Sequence, residues 1–266
     1  INATLMICPP LRAMYPQENN SSIHGIPVLT DNIIWIWIKG NEAVVIDPAI
    51  AKPVISFLNQ SKLNLIAILQ THHHEDHIGG TRELLGHWPN AEVVAAKADL
   101  RRIPFQTISV KDNDQLFFMN APIKVIDVAG HTKAHVAYYM PPTKTMFSKP
   151  TLFCGDTLFG AGCGRIFEGT ADKMYEALQR INKLPENTQI YCAHEYTKSN
   201  LEWAISIYPK DMLLKARLKS VEKKLCQGSL SLPSNIKEER KSNLFLRAKD
   251  LKEFSKLRLH KDNWKE

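Results

Sequence analysis

Short runs of apolar and β-branched residues, each bounded by Asp, Asn, Gly or Pro, recur from position 26 onward and predict strands. The predicted strands cover residues 26–29, 33–39, 43–47, 65–69, 91–96, 115–118, 124–128, 136–140, 151–154 and 189–192. Helical patterns fall between them at 52–61, 79–85 and 171–183. The run 65–69 is continuously apolar, which favours a strand buried on both faces. This order of elements predicts an α/β (α+β) fold in which helices cover two sheets.

The pattern changes after residue 196, where Val, Ile and Thr become rarer and Leu, Lys, Glu and Arg more frequent. Apolar residues at helical spacing predict an amphipathic helix over 212–225, and residues 236–259 are again predicted to be helical. These shifts divide the chain into an irregular N-terminal leader (1–25), a domain of mixed strands and helices (26–196) and a helical domain (197–266).

The chain of 266 residues has a formal net charge of +7 and a sequence pI of about 9.1. Such a balance suits nucleic acid, acidic lipid or a small anionic substrate. The charge is unevenly distributed, because residues 1–196 hold 17 Lys and Arg against 18 Asp and Glu, whereas residues 197–266 hold 17 against 9. The positive excess therefore belongs to the helical part, which favours local attraction for a small anion.

The five cysteines form no CxxC pair and are odd in number, which argues against a disulfide framework and a thiolate zinc site. No apolar run approaches the ~18 residues that indicate a membrane span. The N-terminus has no basic region followed by an apolar stretch, as a signal peptide would. We therefore expect a cytoplasmic monomer that binds neither a membrane nor nucleic acid.

The most informative segment is THHHEDH at positions 71–77, directly after the buried strand. Alternate side chains of an extended segment share one side, which groups His72, His74 and Asp76 and turns His73 away. His77 follows where the chain turns toward a helix. Imidazole and carboxylate ligands together suit zinc, iron or manganese. The segment therefore predicts a metal site.

Three further ligand-type residues also follow predicted strand ends. They are His131 after 124–128, Asp156 after 151–154 and His194 after 189–192. Since the ends of strands present residues to a common cleft, we expect all three to join the same cluster. His135 is expected to support the fold or the ligands rather than to bind metal.

These motifs closely resemble those of glyoxalase II, the hydroxyacylglutathione hydrolase family of the metallo-β-lactamase fold superfamily. The superfamily pattern THxHxDH is present at 71–77. The narrower family motifs are GDTLF at 155–159, GCGR at 162–165, EGTADxM at 168–174, HEYT at 194–197 and RxxKD at 258–262. The resemblance covers nearly everything from residue 26 and implies an αββα sandwich followed by a helical glutathione-binding domain.

The resemblance also implies two divalent metal ions, zinc in the first instance, with iron or manganese as alternatives. One metal would be held by three histidines and the second by one aspartate and two histidines, with a further aspartate bridging both. The two sets are His72, His74 and His131, then Asp76, His77 and His194, and the bridge is Asp156. Asp76 and Asp156 are the carboxylates expected to matter most for catalysis.

The chemistry of such a ligand set favours hydrolysis. Two cations that share a carboxylate can share a water, lower its pKa toward neutrality and hold hydroxide that attacks a carbonyl. A thiolate leaving group needs little protonation near neutral pH, which suits a thioester. The implied reaction converts an S-(2-hydroxyacyl)glutathione, such as S-D-lactoylglutathione, to glutathione and D-lactate in methylglyoxal detoxification.

A glutathione thioester is an anion, and the resemblance implies that Arg258 and Lys261 bind its glycine carboxylate beside Arg165. Arg offers a bidentate fork and Lys a point charge, and residues three apart on a helix share a face. Tyr196 would contact the peptide. Phe167 stands where the family often has Tyr, which removes one hydroxyl contact. Two further departures are Arg165 for Lys and Ala193 for the Gly before His194.

Other functions are also compatible with parts of the pattern. A mononuclear-iron glutathione persulfide dioxygenase of this fold would share 71–77 and 155–159 but is expected to lack the basic tail with 258–262. A nucleic-acid processing hydrolase is suggested by the pI, although no stripe of aromatic and basic residues supports it. A non-catalytic relative would be expected to lose metal ligands, whereas all seven are present.

Overall fold

A computed structural model describes residues 21–143 and 147–264. Residues 1–20 of the predicted leader lie outside this described part. The prediction that the leader stays irregular to residue 25 is wrong for its last four residues. Ser22 to Gly25 pair with Ile38 to Trp35 of the next strand and so belong to the first sheet.

The first sheet contains six strands in sequence order, with antiparallel pairing at one side and parallel pairing at the other. Its strands are β1 (Ser22–Val28), β2 (Asn32–Lys39), β3 (Glu42–Ile46), β4 (Asn64–Leu69), β5 (Glu92–Ala96) and β6 (Ile108–Val110). The connections between the parallel strands carry α1 (Lys52–Gln60), α2 (Glu75–Ile78) and α3 (Thr81–His87). The alternation of strand and helix makes parallel pairing of β3, β4 and β5 feasible.

The second sheet is also six-stranded and is closed at one edge by a strand from the C-terminal part of the chain. Its first strands are β7 (Gln115–Phe118), β8 (Ala121–Asp127), β9 (Val136–Met140) and β10 (Thr151–Gly155). A separate hairpin follows, made of β11 (Leu158–Phe159) and β12 (Gly162–Cys163). The sheet is completed by β13 (Gln189–Cys192) and β14 (Ser234–Asn235), in the order β14-β13-β10-β9-β8-β7.

One helix separates β12 from β13, and the described residues after β13 form five more. They are α4 (Ala171–Asn182), α5 (Thr197–Ile207), α6 (Met212–Cys226), α7 (Ile236–Ser242), α8 (Leu244–Arg247) and α9 (Leu251–Asn263). The single helical stretch predicted over 236–259 is wrong in its continuity. Asn243 and Asp250 interrupt it, because each side chain accepts a hydrogen bond from a backbone N–H of the helix that follows it.

The main core lies between the two sheets, where Trp35, Leu69, Tyr138 and Phe153 are buried. A second apolar cluster packs the other face of the first sheet against α1 and α3. β4 therefore has buried side chains on both faces, as its apolar run predicts. The layers follow one another as helices, sheet, sheet and helices. This order confirms the predicted α/β sandwich with a helical C-terminal region. Among the described residues, no helix combines the length and apolar character needed to cross a membrane.

Candidate metal centre and substrate pocket

The predicted metal ligands lie where several strands end at one edge of the sandwich. β4 ends at Leu69 and leads into the segment with His72 and His74, while α2 carries Asp76 and His77. In the second sheet, β10 and β13 are parallel neighbours, so the residues after them, Asp156 and His194, emerge side by side. His131 comes from the connection between β8 and β9.

Gly155 allows this close approach of the two sheets. Its φ of +48° is in the left-handed region, and a Cβ placed on it would lie 2.3 Å from Thr71 Oγ1. Only glycine fits both the backbone conformation and the space at this position. Asp156 is thereby aimed at the histidines of the first sheet.

The seven predicted ligands converge into one cluster in the described structure. Three groups of side chains each place their donor atoms within 4.8 Å of one another: His72, His74 and His131; His72, His77 and Asp156; and Asp76, His77 and His194. These groups overlap at His72 and His77, so the donors form a continuous patch. The cluster can hold divalent metal, because it combines neutral nitrogen and anionic oxygen donors.

Asp156 lies between the two predicted ligand sets. Its Oδ1 is 3.4 Å from both His77 Nε2 and His194 Nε2, and its Oδ2 is 3.5 Å from His131 Nε2. One oxygen therefore faces each set. The carboxylate is buried, so charge on it must be compensated locally.

Two carboxylates that the sequence analysis does not predict lie next to the ring nitrogens of His77 and His194 that face away from the cluster. Asp47 Oδ2 lies 3.0 Å from His77 Nδ1, and the same carboxylate accepts hydrogen bonds from the N–H and hydroxyl of Thr71. Asp31 Oδ1 accepts from His194 Nδ1 at 2.7 Å. The hydrogen bond at His194 fixes its tautomer, and the carboxylate beside Nδ1 of His77 favours a proton on that nitrogen, so Nε2 of each ring faces the cluster. Both aspartates are distant in sequence from the motif, although the position of each after a strand was a usable signal.

His131 and His135 are held by backbone groups. His131 Nδ1 donates to the carbonyl of Arg165 at 2.6 Å, which leaves Nε2 for the cluster. The buried His135 accepts from the N–H of Asp156 at 3.1 Å through Nε2, and its ring stacks on His72 at 4.6 Å. The expected supporting role of His135 agrees with these contacts.

His73 points away from the cluster, as the alternation of the segment predicts. Its ring lies 3.5 Å from Asp99 and 3.4 Å from Glu168. Arg102 links these two carboxylates by pairing with both. The group ties the segment that carries the histidines to the loop that contains Phe167.

Burial determines the protonation of one ligand set. It lowers the pKa of His72 well below its ordinary value, lowers that of His74 to about 4, and lowers that of His131. These imidazoles are therefore neutral near pH 7. A neutral imidazole has the free lone pair that a metal ligand requires.

The other set experiences strong negative potential. Burial alone would lower the pKa of His77, but Asp156 and Asp47 raise it well above its ordinary value. His194 is shifted upward in the same way, with burial opposed by Asp156 and Asp31. Burial likewise opposes the charge of Asp156, but His77 and His194 hold its pKa well below the usual range. This part of the cluster is therefore an environment that favours a cation.

The side chains fit the divalent metal ions that the fold implies. His77 Nε2 and Asp156 Oδ1 are buried and have no hydrogen-bond partner among the described atoms. Unpaired buried polar atoms are rare because each loses its hydration without replacement. Metal ligation satisfies both atoms, and the surrounding nitrogen and carboxylate donors supply the remaining coordination.

A cavity of about 370 Å³ adjoins the cluster. It is lined by His131 and Asp156 at one end and by all five predicted substrate-binding residues, which are Arg165, Phe167, Tyr196, Arg258 and Lys261. Phe159, Cys163, Ser199 and Asn200 complete the lining. The cavity thus connects ligand-type side chains to cationic ones.

The surroundings of Tyr196, Phe167 and Ala193 bear on the predicted substrate contacts and on two departures from the family pattern. Tyr196 stacks on His194 with ring centroids 4.8 Å apart, and burial raises the pKa of its hydroxyl. Phe167 is 62% exposed at the mouth of the cavity, close to His131 and His74. Ala193 does not adopt a positive φ, so its methyl group introduces no strain before His194.

Comparisons with known proteins assign the chain to a family. Residues 26–194 match the model of the metallo-beta-lactamase superfamily, and residues 195–264 match that of the hydroxyacylglutathione hydrolase C-terminus.

A hydroxyacylglutathione hydrolase of Prochlorococcus marinus strain MIT 9303 is 59% identical, covering 93% of this chain and 95% of that protein. A second, from another strain of Prochlorococcus marinus, is 58% identical and covers 95% and 100%. Among solved structures, ETHE1 from Myxococcus xanthus superposes with a TM-score of 0.65 at 21% identity, covering 92% of each chain, which shows the shared fold. The chain belongs to the hydroxyacylglutathione hydrolases of the metallo-β-lactamase superfamily.

Proposed function

We propose that this protein hydrolyses S-(2-hydroxyacyl)glutathione thioesters, such as S-D-lactoylglutathione, to glutathione and a 2-hydroxy acid, as in methylglyoxal detoxification. The observation that carries the proposal is the cavity that joins the histidine and aspartate cluster to Arg165, Arg258 and Lys261. One end suits a reacting carbonyl and the other an anionic tail. The relatives above are named for this activity.

Seven side chains would hold the metal ions. His72, His74 and His131 form one set, Asp76, His77 and His194 form the other, and Asp156 contributes to both. We propose two zinc ions, because zinc accepts this mixture of imidazole and carboxylate donors. The chemistry that a divalent metal pair supplies when bound is a hydroxide nucleophile near neutral pH and stabilisation of the oxyanion formed from the carbonyl.

The protein itself positions both reactants. Asp47 and Asp31 orient His77 and His194, so that these rings do not need to reorganise during the reaction. Tyr196, fixed by stacking on His194, offers its hydroxyl beside the cluster, where we propose that it contacts the peptide part of the substrate.

The cationic end of the cavity would hold the substrate by its carboxylate. Lys261 lies over the rings of Trp203 and Trp264 at 5.5 and 4.4 Å, and it lines the cavity together with Arg258. Arg258 and Arg165 lie on either side of one carboxylate, that of Asp262. Departure of the glutathione thiolate requires little protonation because the pKa of a thiol is close to neutrality.

The test is one assay with two readouts on the same purified sample. Thioester absorbance follows the hydrolysis of S-D-lactoylglutathione, and elemental analysis gives the metal content per chain. We expect turnover with two metals bound. Absence of turnover with two metals bound would refute the proposal, and oxygen uptake with glutathione persulfide would favour a dioxygenase instead.

A further inference from the structure

A carboxylate contacts two of the cationic side chains that line the cavity, where it would not be expected to favour an anionic substrate. Asp262 is on the last turn of α9, next in sequence to Lys261, and its side chain is 32% exposed. A negative charge a few ångströms from a substrate carboxylate opposes binding, since like charges repel most strongly where water is partly excluded. A favourable role of Asp262 that outweighs this repulsion would explain why a carboxylate is present here.

The contacts of Arg258 supply that reason. The guanidinium is buried and donates through Nε to Oδ1 of Asp262 at 3.1 Å, and its Nη2 lies 2.8 Å from the same oxygen. Nη1 donates to the carbonyl of Cys163 at 3.0 Å, and the group lies 5.1 Å above the ring of Phe245. These contacts fix the orientation of the planar guanidinium, which still lines the cavity.

Asp262 also reaches a second arginine. Its Oδ1 is 3.4 Å from Nε of Arg165, which comes from the loop after β12 rather than from α9. Arg165 is exposed, so an isolated pair of this kind contributes little stability. Its effect here is on position, because one oxygen lies between two guanidinium groups that would otherwise repel each other.

We propose that Asp262 is a positioning residue for substrate recognition, which holds Arg258 and Arg165 together so that both present N–H groups to a carboxylate of the glutathione thioester. This inference rests on the proposed function. It adds an anionic side chain, Asp262, that positions two of the cationic side chains of the cavity. Asp262 acts through the two arginines and does not touch the reacting atoms.

The substitution Asp262→Asn distinguishes a positioning role from a purely electrostatic effect, because the two predict opposite changes in KM. Removal of a negative charge alone would lower KM for an anionic substrate. Loss of positioning raises it. We expect KM for S-D-lactoylglutathione to rise about tenfold with kcat changed less than about twofold. This is the pattern expected when a lost interaction stabilised the ground state and the transition state equally.

The control Glu222→Gln removes an exposed carboxylate of α6 and is expected to leave KM unchanged. An unchanged or lowered KM in Asp262→Asn would overturn the inference.

A truncated substrate distinguishes recognition from general damage to the cavity. The thioester of D-lactate with N-acetylcysteamine carries neither carboxylate of glutathione, so Asp262→Asn should hydrolyse it with the wild-type KM. A rise in KM for this substrate as large as that for the glutathione thioester would also overturn the inference. Thermal unfolding checks that the variant is folded.

Asp262→Glu provides the test if the asparagine variant does not fold. It keeps the charge but moves the oxygens by one methylene, so we expect KM for the glutathione thioester to rise about threefold, as for a weakened charge-assisted contact. A wild-type KM would overturn the inference. Failure of the proposed function is a separate result, since it appears as absence of turnover in the wild-type enzyme with metal bound.

Discussion

The two ends of the cavity are built by different means. At the metal end, the predicted ligands follow β4, β8, β10 and β13, most of their rings are buried, and far ring nitrogens lie against Asp47, Asp31 or a backbone carbonyl. At the cationic end, Arg165 comes from a loop and Arg258 and Lys261 from a terminal helix. The first end lies at the edge of the sandwich where strands of both sheets end, whereas the second is formed by a loop and the last helix of the chain.

The difference reflects what each end has to do. Metal coordination tolerates only small errors in donor position, so its ligands are placed on strand ends and supported from behind. Recognition of a flexible anion tolerates larger errors, so its cations can be held by contacts between side chains, such as those of Asp262, rather than by strand ends. Substitutions should therefore affect metal content and kcat at one end and KM at the other, with effects that decrease from the buried end outward.

The largest effect is expected for Asp156→Ala. Loss of the carboxylate that faces both ligand sets should reduce kcat/KM by about 10³-fold or more and lower the metal content below two per chain. Metal analysis and the thioester assay check both. Asp172→Ala, which removes an exposed aspartate of α4, should behave as wild type. A fully active Asp156→Ala protein that retains two metals would contradict the assignment.

Substitution of Asp47 and Asp31, the carboxylates next to the far ring nitrogens of His77 and His194, should give the next largest effects. Asp47→Asn and Asp31→Asn should each weaken metal binding by about 10- to 100-fold, measured by competition with a chelator. Asp47 should show the greater loss, because it is buried and bonded also to Thr71, whereas Asp31 is partly exposed. Asn tolerates the left-handed backbone at position 47, so the change is confined to the charge. If Asp31→Asn loses as much metal affinity as Asp47→Asn, or more, then burial of the carboxylate does not determine how strongly it supports its histidine.

At the cationic end, the double substitution of Arg258 and Lys261 by Ala should raise KM by about tenfold or more while kcat falls far less. The matched control replaces Lys252 and Lys256, two exposed lysines of the same helix, and loses the same charge. Kinetic constants of both variants at one ionic strength decide the question. If the control raises KM equally, the attraction is a diffuse property of the basic helices and not a local one.

The smallest effect is expected for Phe167→Tyr at the exposed mouth of the cavity. A phenol hydroxyl there adds a hydrogen-bonding group toward the substrate, and we expect KM to fall about two- to fivefold, in line with one hydrogen bond. Phe117→Tyr, at a similarly exposed position on β7, is the control and should change nothing. A higher KM in Phe167→Tyr would indicate that the site favours an apolar contact.

The convergence of the predicted ligand residues into one cluster was largely predictable because the signal is local. His72, His74, Asp76 and His77 occupy one short segment, and the residues that join them each follow a strand whose apolar pattern is clear. The interruptions in the helical tail were less visible, since a cap such as Asn243 competes with the helix only through a hydrogen bond to the next turn. Strand β14 was missed because two residues carry no periodicity.

The sequence by itself determined the ligand types, their order along the chain and the concentration of positive charge after residue 196, because these are properties of neighbouring residues. Tertiary structure decided that Asp47 and Asp31 support His77 and His194, and that Asp262 joins Arg258 to Arg165. The first two pairs join residues from different strands or loops, and Arg165 lies far along the chain from Asp262. Such contacts depend on how the sheets and the terminal helix pack, which no local pattern of side chains records.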